Sequence, residues 1–157
     1  MTGSSNTIFI FGLGYVGLHL AEQLSRQGWQ IIGTTRTPEN LSDYEQRGWT
    51  ILPFSDDEDV PDLAHHLAGA SALVSTITAI SGRDPVLARH KQAIEGFAGW
   101  TGYVSATSIY PDQAEGWVDE TTIPEPATAR GIARWKAEQE WDEVTGAEIF
   151  RVAGIYG

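Results

Sequence analysis

Residues 8–17 read Ile8-Phe9-Ile10-Phe11-Gly12-Leu13-Gly14-Tyr15-Val16-Gly17, and they join an apolar, strand-like run to a G-x-G-x-x-G spacing. In a strand-turn-helix unit, Gly12 lets the chain leave the strand in a tight turn, and Gly14 removes a side chain that would block a pyrophosphate. Gly17 lets the helix pack closely on the strand, so that phosphates lie at the positive end of the helix dipole. The stretch predicts a dinucleotide-binding turn, in which Leu13, Tyr15 and Val16 complete the cofactor-binding segment.

The residues around this turn support the prediction. Glycine makes up 17 of the 157 residues, so three glycines at this spacing carry little weight without their context. Thr7 to Phe11 suits a buried parallel strand, and apolar residues from Leu18 to Leu24 follow at helical spacing before Gly28 ends the helix. The alternative is a strand-turn-helix unit with a purely structural role.

The choice of cofactor is expected at the tip of the second strand, which is predicted over Trp29 to Thr34. An Asp or Glu at this tip would bind the ribose 2′-hydroxyl of NAD. The chain has Thr35 and Arg36 there instead, and a guanidinium can form paired hydrogen bonds with a 2′-phosphate. These two residues therefore predict NADP rather than NAD, the alternative being that Arg36 is an ordinary surface charge.

Strand and helix patterns alternate along the rest of the chain, which predicts an α/β fold with a doubly wound parallel sheet in one domain over residues 1–157. Ligands of such sheets bind at the carboxyl ends of the strands, so Thr76 is also expected to contact the cofactor. The acidic run Ser55 to Asp59 is expected to complement a helix N-terminus. The predicted elements after the second strand are strand Trp49 to Phe54, helix Val60 to Leu67, strand Ala72 to Ile77, helix Pro85 to Phe97, strand Thr101 to Ser105, helix Thr128 to Val144 and strand Ala147 to Val152.

Composition excludes several classes of function. The net charge of −11 argues against nucleic acid or an anionic membrane as a partner, because both select basic surfaces. The absence of cysteine excludes disulfides and thiolate chemistry, and consecutive carboxylates point in different directions, so no metal site is predicted. The chain shows neither a signal peptide nor a run of membrane-spanning length. A cytoplasmic protein that acts on a small molecule is expected.

Three further blocks carry a family resemblance: Tyr103-Val104-Ser105-Ala106-Thr107-Ser108-Ile109-Tyr110, Trp117-Val118-Asp119-Glu120 and Arg151-Val152-Ala153-Gly154-Ile155-Tyr156-Gly157. Together with the glycine turn, their order and separation resemble the extended or atypical short-chain dehydrogenase/reductases, often labelled NAD-dependent epimerase/dehydratases. The resemblance covers nearly the whole chain. It implies a Rossmann-type NAD(P)-binding domain and an epimerase, dehydratase or oxidoreductase activity on a nucleotide-sugar-like or other small carbonyl or alcohol substrate.

The chain departs from this family at two catalytic positions. Family members carry a Ser or Thr four residues before the tyrosine of the fifth-strand motif, and a Tyr-x-x-x-Lys pair on the next helix. In that pair the ammonium lowers the phenol pKa and holds the nicotinamide ribose. Here Ala106 and Ile132 occupy the hydroxyl positions, while Lys136 is retained. The resemblance therefore implies Lys136 as a cofactor-binding and catalytic residue, or, alternatively, an exposed lysine near Glu140.

Two interpretations of the site follow from these departures. In the first, the chain is an enzyme in which Tyr110, Thr107 or Ser108 replaces the missing proton-transfer groups. In the second, it is a non-catalytic NADP-binding sensor or regulatory module. The family also carries a smaller C-terminal region that closes over the substrate, and the chain reaches Gly157 where that region would begin. An uncovered apolar face predicts self-association into a homo-oligomer or disorder near the C-terminus.

A second resemblance concerns the glycine turn alone. Residues 12–18 also resemble the opening of the nucleotide-sugar dehydrogenases, which oxidise a sugar alcohol to an acid. Those enzymes need an acid at the second-strand tip and a cysteine nucleophile. The chain has Thr35-Arg36 at that tip and no cysteine, which ranks this alternative below the first resemblance.

Overall fold

The computed structural model describes residues 6–111 and 116–155. Six strands form one sheet in the order β3-β2-β1-β4-β5-β6, and every neighbouring pair is parallel. This arrangement confirms the predicted doubly wound α/β fold. The elements are β1 (Thr7–Phe11), α1 (Tyr15–Arg26), β2 (Gln30–Thr35), α2 (Ser42–Gln46), β3 (Thr50–Pro53), α3 (Leu63–Ala68), β4 (Ala72–Ser75), α4 (Pro85–Glu95), β5 (Trp100–Ala106), α5 (Ala129–Thr145) and β6 (Glu148–Val152), with short 3-10 turns at Pro38–Leu41 and Thr107–Ile109.

Helices cover both faces of the sheet because the central strands are apolar on both sides. On β1, Phe9 packs with buried residues of α3, α4 and α5, while Ile10 packs with residues of α1 on the other face, and both are fully buried. Successive strand residues point to opposite faces, so a strand that is buried on both faces has a continuous apolar sequence. Among the described residues, no helix is both long enough and apolar enough to cross a membrane.

The acidic run differs from its prediction. Helix α3 begins at Leu63 rather than Val60, and its N-cap residue Asp62 has a left-handed backbone (φ 48°) and no side-chain capping bond. The run instead forms a turn in which Ser55 and Glu58 exchange backbone hydrogen bonds. The expectation that these acids complement a helix N-terminus was therefore wrong. Helix α2 and both 3-10 turns were not predicted.

A buried carboxyl group joins α4 to α5. Asp84 is the N-cap of α4, and its Oδ1 accepts hydrogen bonds from the N–H groups of Val86 and Leu87, both at 2.9 Å. Its Oδ2 accepts a hydrogen bond from the indole Nε1 of Trp141, at 3.1 Å, across the interface with α5. Burial raises the pKa of Asp84 despite these three bonds, because the charged form loses its hydration.

Asp84 should make stability fall as pH rises above its ordinary pKa. The pKa of Asp84 is higher in the folded chain than in the unfolded chain. At a pH between these two pKa values, the folded state binds more protons than the unfolded state, so raising the pH favours unfolding. Asp84→Asn keeps an Oδ1 acceptor for the helix but does not titrate. The deficit in unfolding free energy of Asp84→Asn relative to the unmodified chain should shrink in urea titrations as the pH rises above the ordinary carboxyl pKa of 3.8. A constant or growing deficit would contradict the raised pKa.

Candidate functional site

A cavity of about 370 Å³ opens at the carboxyl ends of β1, β2, β3 and β4. This volume falls within the range of small-molecule and cofactor sites. Six of the residues predicted to bind the cofactor line it: Gly12, Leu13, Gly14, Thr35, Arg36 and Thr76. The other lining residues, which sequence reasoning did not assign to the site, are Thr34, Phe54, Ser55, Asp56, Ile77, Thr78, Ile80 and Pro85.

The fold requires glycine at two of the three glycine positions of the turn. Gly12 has a φ of +95°, and a Cβ there would lie 2.8 Å from the Thr76 hydroxyl oxygen. A Cβ on Gly17 would lie 2.0 Å from the carbonyl oxygen of Gly12, so only glycine lets α1 approach the turn this closely. Gly14 has an ordinary backbone conformation, and a Cβ there would meet no protein atom within 4 Å. The protein itself does not require glycine at this position, whereas a phosphate approaching the backbone would.

The N-terminus of α1 is left open. Its N-cap Gly14 makes no side-chain capping bond, and the first backbone bond of the helix runs from the N–H of Leu18 to the carbonyl of Gly14, at 2.8 Å. The N–H groups of Tyr15, Val16 and Gly17 precede this bond and have no acceptor within the helix. These three residues do not line the cavity, so what they offer a ligand is the open helix end.

Two threonines hold the glycine turn in place. The buried Thr34 accepts a hydrogen bond from the N–H of Gly12 through its hydroxyl, at 3.0 Å, and one from the N–H of Leu13 through its carbonyl, at 2.7 Å. Thr76 donates from its hydroxyl to the carbonyl of Gly12, at 2.7 Å. Thr34 was missed as a site residue, and the local signal for it was a hydroxyl at the end of the predicted strand, directly after Ile31, Ile32 and Gly33.

The tip of β2 provides a free guanidinium. Arg36 is exposed at the cavity, and within residues 6–111 and 116–155 it makes no hydrogen bond or ion pair. Its neighbour Thr35 accepts a weak hydrogen bond from the N–H of Thr37, at 3.4 Å. The tip therefore offers donors and a positive charge to a ligand and lacks a carboxylate of its own.

The predicted proton-transfer residues lie elsewhere, around a second cavity of about 280 Å³ that Tyr110, Thr107 and Arg151 line. The Tyr110 hydroxyl donates to the carbonyl of Asp119, at 2.8 Å, and accepts from Nη1 of Arg151, at 3.0 Å. Tyr110 does not line the first cavity, and the exposed Ser108 lines neither. These residues therefore do not share a cavity with the glycine turn.

Arg151, which lines this second cavity, forms an ion pair with the buried Glu138. Arg151 makes three hydrogen bonds of 2.9 to 3.3 Å with the carboxylate of Glu138, which is only 2% exposed. These bonds raise the pKa of Arg151 further, because the carboxylate stabilises the charged guanidinium. The guanidinium also lies 5.3 Å from the centre of the Tyr110 ring. Sequence reasoning missed this pair, whose members are separated along the chain.

Lys136 lies on the solvent side of α5. Both Lys136 and Ile132 are exposed, whereas Arg134 and Glu138 of the same helix are buried. Positions 132 and 136 therefore share a face, as their spacing of four residues predicts. In the described part of the chain, Lys136 forms no ion pair with Glu140 and lines neither cavity.

Comparison with known proteins agrees with this geometry. Residues 7–125 match the family of the NAD binding domain of 6-phosphogluconate dehydrogenase. The chain belongs to this family. It is thus an NAD(P)-binding domain of Rossmann type, with the glycine turn inside the matched region.

Relatives and solved structures extend the comparison. The chain is 29% identical to Protein YeeZ of Escherichia coli (strain K12) over 168 aligned residues, which cover 96% of this chain and 59% of the relative. A functionally unknown conserved protein from Silicibacter pomeroyi DSS is 39% identical, with a TM-score of 0.83 over 98% of this chain and 54% of that one. A candidate NAD-dependent epimerase/dehydratase from Methylobacillus flagellatus is 25% identical, with a TM-score of 0.78 over 99% of this chain and 56% of that one. The chain spans little more than half the length of these relatives.

Alanine at two of the glycines should separate ligand binding from folding. Gly14→Ala should change the unfolding free energy by less than about 1 kcal/mol, because its methyl group meets no protein atom. It should nevertheless weaken NADPH binding about tenfold or more, equivalent to about 1.4 kcal/mol. Gly17→Ala should destabilise the fold by about 2 kcal/mol through overlap with Gly12. Calorimetric titration and urea unfolding test both variants, and an unchanged NADPH affinity of Gly14→Ala would contradict the assigned phosphate site.

Proposed function

We propose that the chain binds NADP in preference to NAD and belongs to a short-chain dehydrogenase/reductase-like protein of the epimerase, dehydratase or reductase type. The observation that carries the cofactor preference is the free guanidinium of Arg36 at the cavity. The tip of β2 carries no Asp or Glu, so it lacks the carboxylate that would accept a hydrogen bond from the ribose 2′-hydroxyl of NAD. A guanidinium at the same tip binds a phosphate through paired, charge-assisted hydrogen bonds.

The residues around the glycine turn fit a dinucleotide. Gly14 leaves open space above the backbone, and the uncapped start of α1 offers N–H groups to a pyrophosphate. Thr34 and Thr76 fix the turn, so these donors do not have to be ordered when the ligand binds. When bound, NADP would supply the hydride acceptor or donor of the reaction.

The proposal for the chemistry rests on Lys136 and on the order of the sequence blocks. Lys136 is exposed on α5, and its ammonium is proposed to bind the nicotinamide ribose, as the lysine of this protein class does. Ile132, one turn away on the same face, offers only carbon where this protein class places its phenol. Substrates are expected to be nucleotide-sugar-like or other small carbonyl or alcohol compounds.

The proposed enzyme lacks the two hydroxyl groups that transfer and stabilise the proton in this protein class. Ala106 and Ile132 can neither stabilise nor deliver a proton. Tyr110 is the proposed substitute, with Thr107 and Ser108 as further hydroxyl donors beyond β5. To give up its proton to a substrate, Tyr110 would have to break its hydrogen bond to the carbonyl of Asp119. We therefore expect the reaction to be slow even where the cofactor is well bound.

Arg36→Ala should remove the preference for NADP. Loss of the guanidinium should weaken NADPH binding about tenfold or more and leave NADH binding within about twofold, because only NADPH carries the 2′-phosphate. Arg26→Ala is the matched control, since it also removes one guanidinium, but at the C-terminal end of α1, away from the cavity at its N-terminus. Calorimetric titrations with both dinucleotides test this prediction. Equal losses for NADPH and NADH, or tighter binding of NADH by the unmodified chain, would contradict the assignment of Arg36.

Hydride transfer should be slow, because general acid-base help contributes about 10²- to 10⁴-fold in typical enzymes. Absorbance of NADPH is followed with a panel of nucleotide sugars, for the unmodified chain, for Tyr110→Phe and for the pair Ala106→Ser with Ile132→Tyr. The restored pair should be fastest, and Tyr110→Phe should be slower than the unmodified chain. Robust turnover by the unmodified chain that survives Tyr110→Phe would refute both the slow chemistry and the proposed substitute.

A further inference from the structure

The loop that follows β3 forms part of the cofactor cavity. Phe54, Ser55 and Asp56 line the cavity beside the tip of β2. The two segments leave the sheet side by side, because Thr35 pairs with Pro53 and the N–H of Phe54 donates to the carbonyl of Thr35, at 3.0 Å. A ligand group held by the β2 tip therefore lies beside Ser55 and Asp56, which begin the loop of residues 55–60.

Residues 55–60 make few bonds among themselves. Ser55 and Glu58 exchange two long backbone hydrogen bonds, of 3.2 and 3.3 Å, and the N–H of Asp57 donates to the Ser55 hydroxyl, at 3.2 Å. Residues 56–59 are four consecutive acids, all of them exposed. Neighbouring like charges repel, so the position of this loop depends on contacts from outside it.

Two consecutive residues of α4 make side-chain hydrogen bonds to this loop. Arg89 donates from Nη1 to the carbonyl of Asp56, at 2.7 Å, and from Nε to the carboxylate of Asp59. This guanidinium also lowers the pKa of Asp59. His90 accepts a hydrogen bond from the N–H of Val60 at its Nε2, at 3.2 Å. Both ends of the acidic run are thus attached to one turn of one helix.

His90 makes this attachment in its neutral form. The ring is packed between Phe11 and Phe54, with centroids 6.2 and 5.6 Å away, and its side chain is 10% exposed. Loss of hydration lowers the pKa of His90, an effect that Arg89 reinforces and the Asp59 carboxylate, 3.9 Å away, opposes. An imidazole nitrogen accepts a hydrogen bond only when it is unprotonated, so acidification would break the bond to Val60.

We propose that Arg89 and His90 are positioning residues: they hold the loop of residues 55–60, and through it the cavity-lining Ser55 and Asp56, and so set the affinity of the cavity for the dinucleotide. The inference rests on the proposed function, since it concerns the same cavity. Arg89 has a second effect, because it offsets acidic charge next to the expected 2′-phosphate. Its loss should weaken NADPH binding more than NADH binding, by Coulomb repulsion between the acids and the phosphate.

The first test removes the guanidinium. Arg89→Met keeps the apolar stem, and Lys91→Met removes an exposed charge from the same helix as a matched control. Calorimetric titration should show NADPH binding weakened about three- to tenfold in Arg89→Met and unchanged within about twofold in Lys91→Met, as expected for a partly exposed ion pair with one further charged bond. Equal NADPH affinities in these two variants would overturn the proposal.

A second pair of variants acts from the loop side. Asp59→Asn removes the carboxylate partner of Arg89, whereas Asp57→Asn makes the same charge change at a neighbouring exposed position. Hydrogen exchange of residues 56–60, measured without a ligand, should be faster in Asp59→Asn than in Asp57→Asn, with a parallel loss of NADPH affinity. Faster exchange with unchanged affinity would show a merely structural contact and would overturn the positioning role.

The role of His90 is tested by pH. His90→Gln retains a side-chain acceptor for the N–H of Val60 but does not titrate. Because burial lowers the pKa of His90 below the ordinary imidazole value of 6.5, the ratio of NADPH affinities between the unmodified chain and His90→Gln should be constant above pH 6.5 and fall at lower pH, and this ratio cancels titration of the phosphate itself. A pH-independent ratio would overturn the part assigned to His90. Failure of the unmodified chain to bind any dinucleotide would instead refute the proposed function, which separates the two failures.

Discussion

Helix α1 can point at the cavity only because it packs against the turn after β1 at a distance that excludes a side chain. A Cβ on Gly17 would lie 2.0 Å from the carbonyl oxygen of Gly12. This contact fixes the direction of the helix axis, and with it the uncapped N–H groups and positive dipole end that face a ligand. Thr34 and Thr76 then lock Gly12 from the two neighbouring strands. The site is therefore preorganised by contacts at the centre of the sheet.

The electrostatics of the cavity differ from those of the whole chain. The net charge is −11, yet the tip of β2 carries a guanidinium without a partner among the described residues, and the acids of the neighbouring loop are partly offset by Arg89. A second arginine, Arg151, is neutralised by the buried Glu138. Of these three guanidiniums, that of Arg36 is the one left to attract an anionic ligand.

Features encoded in short segments could be predicted from the sequence. The continuous apolar run of β1 and the glycine spacing identified the turn, and six predicted cofactor residues line the cavity. The acidic run was assigned wrongly because its partner, Arg89, lies 30 residues away from Asp59. The bond between Asp84 and Trp141 spans 57 residues and leaves no periodic trace in the sequence. Contacts of this kind depend on how helices meet across the sheet, which local patterns do not encode.

Backbone amide NMR during an NADPH titration would show whether the open start of α1 holds the dinucleotide phosphates. The largest chemical-shift changes should fall on the amides of Gly14, Tyr15 and Val16, with further changes at Thr35 and Arg36, and the amide signals around Tyr110 should change little. Saturating shifts confined to the second cavity, with residues 12–17 unchanged, would contradict phosphate binding at α1.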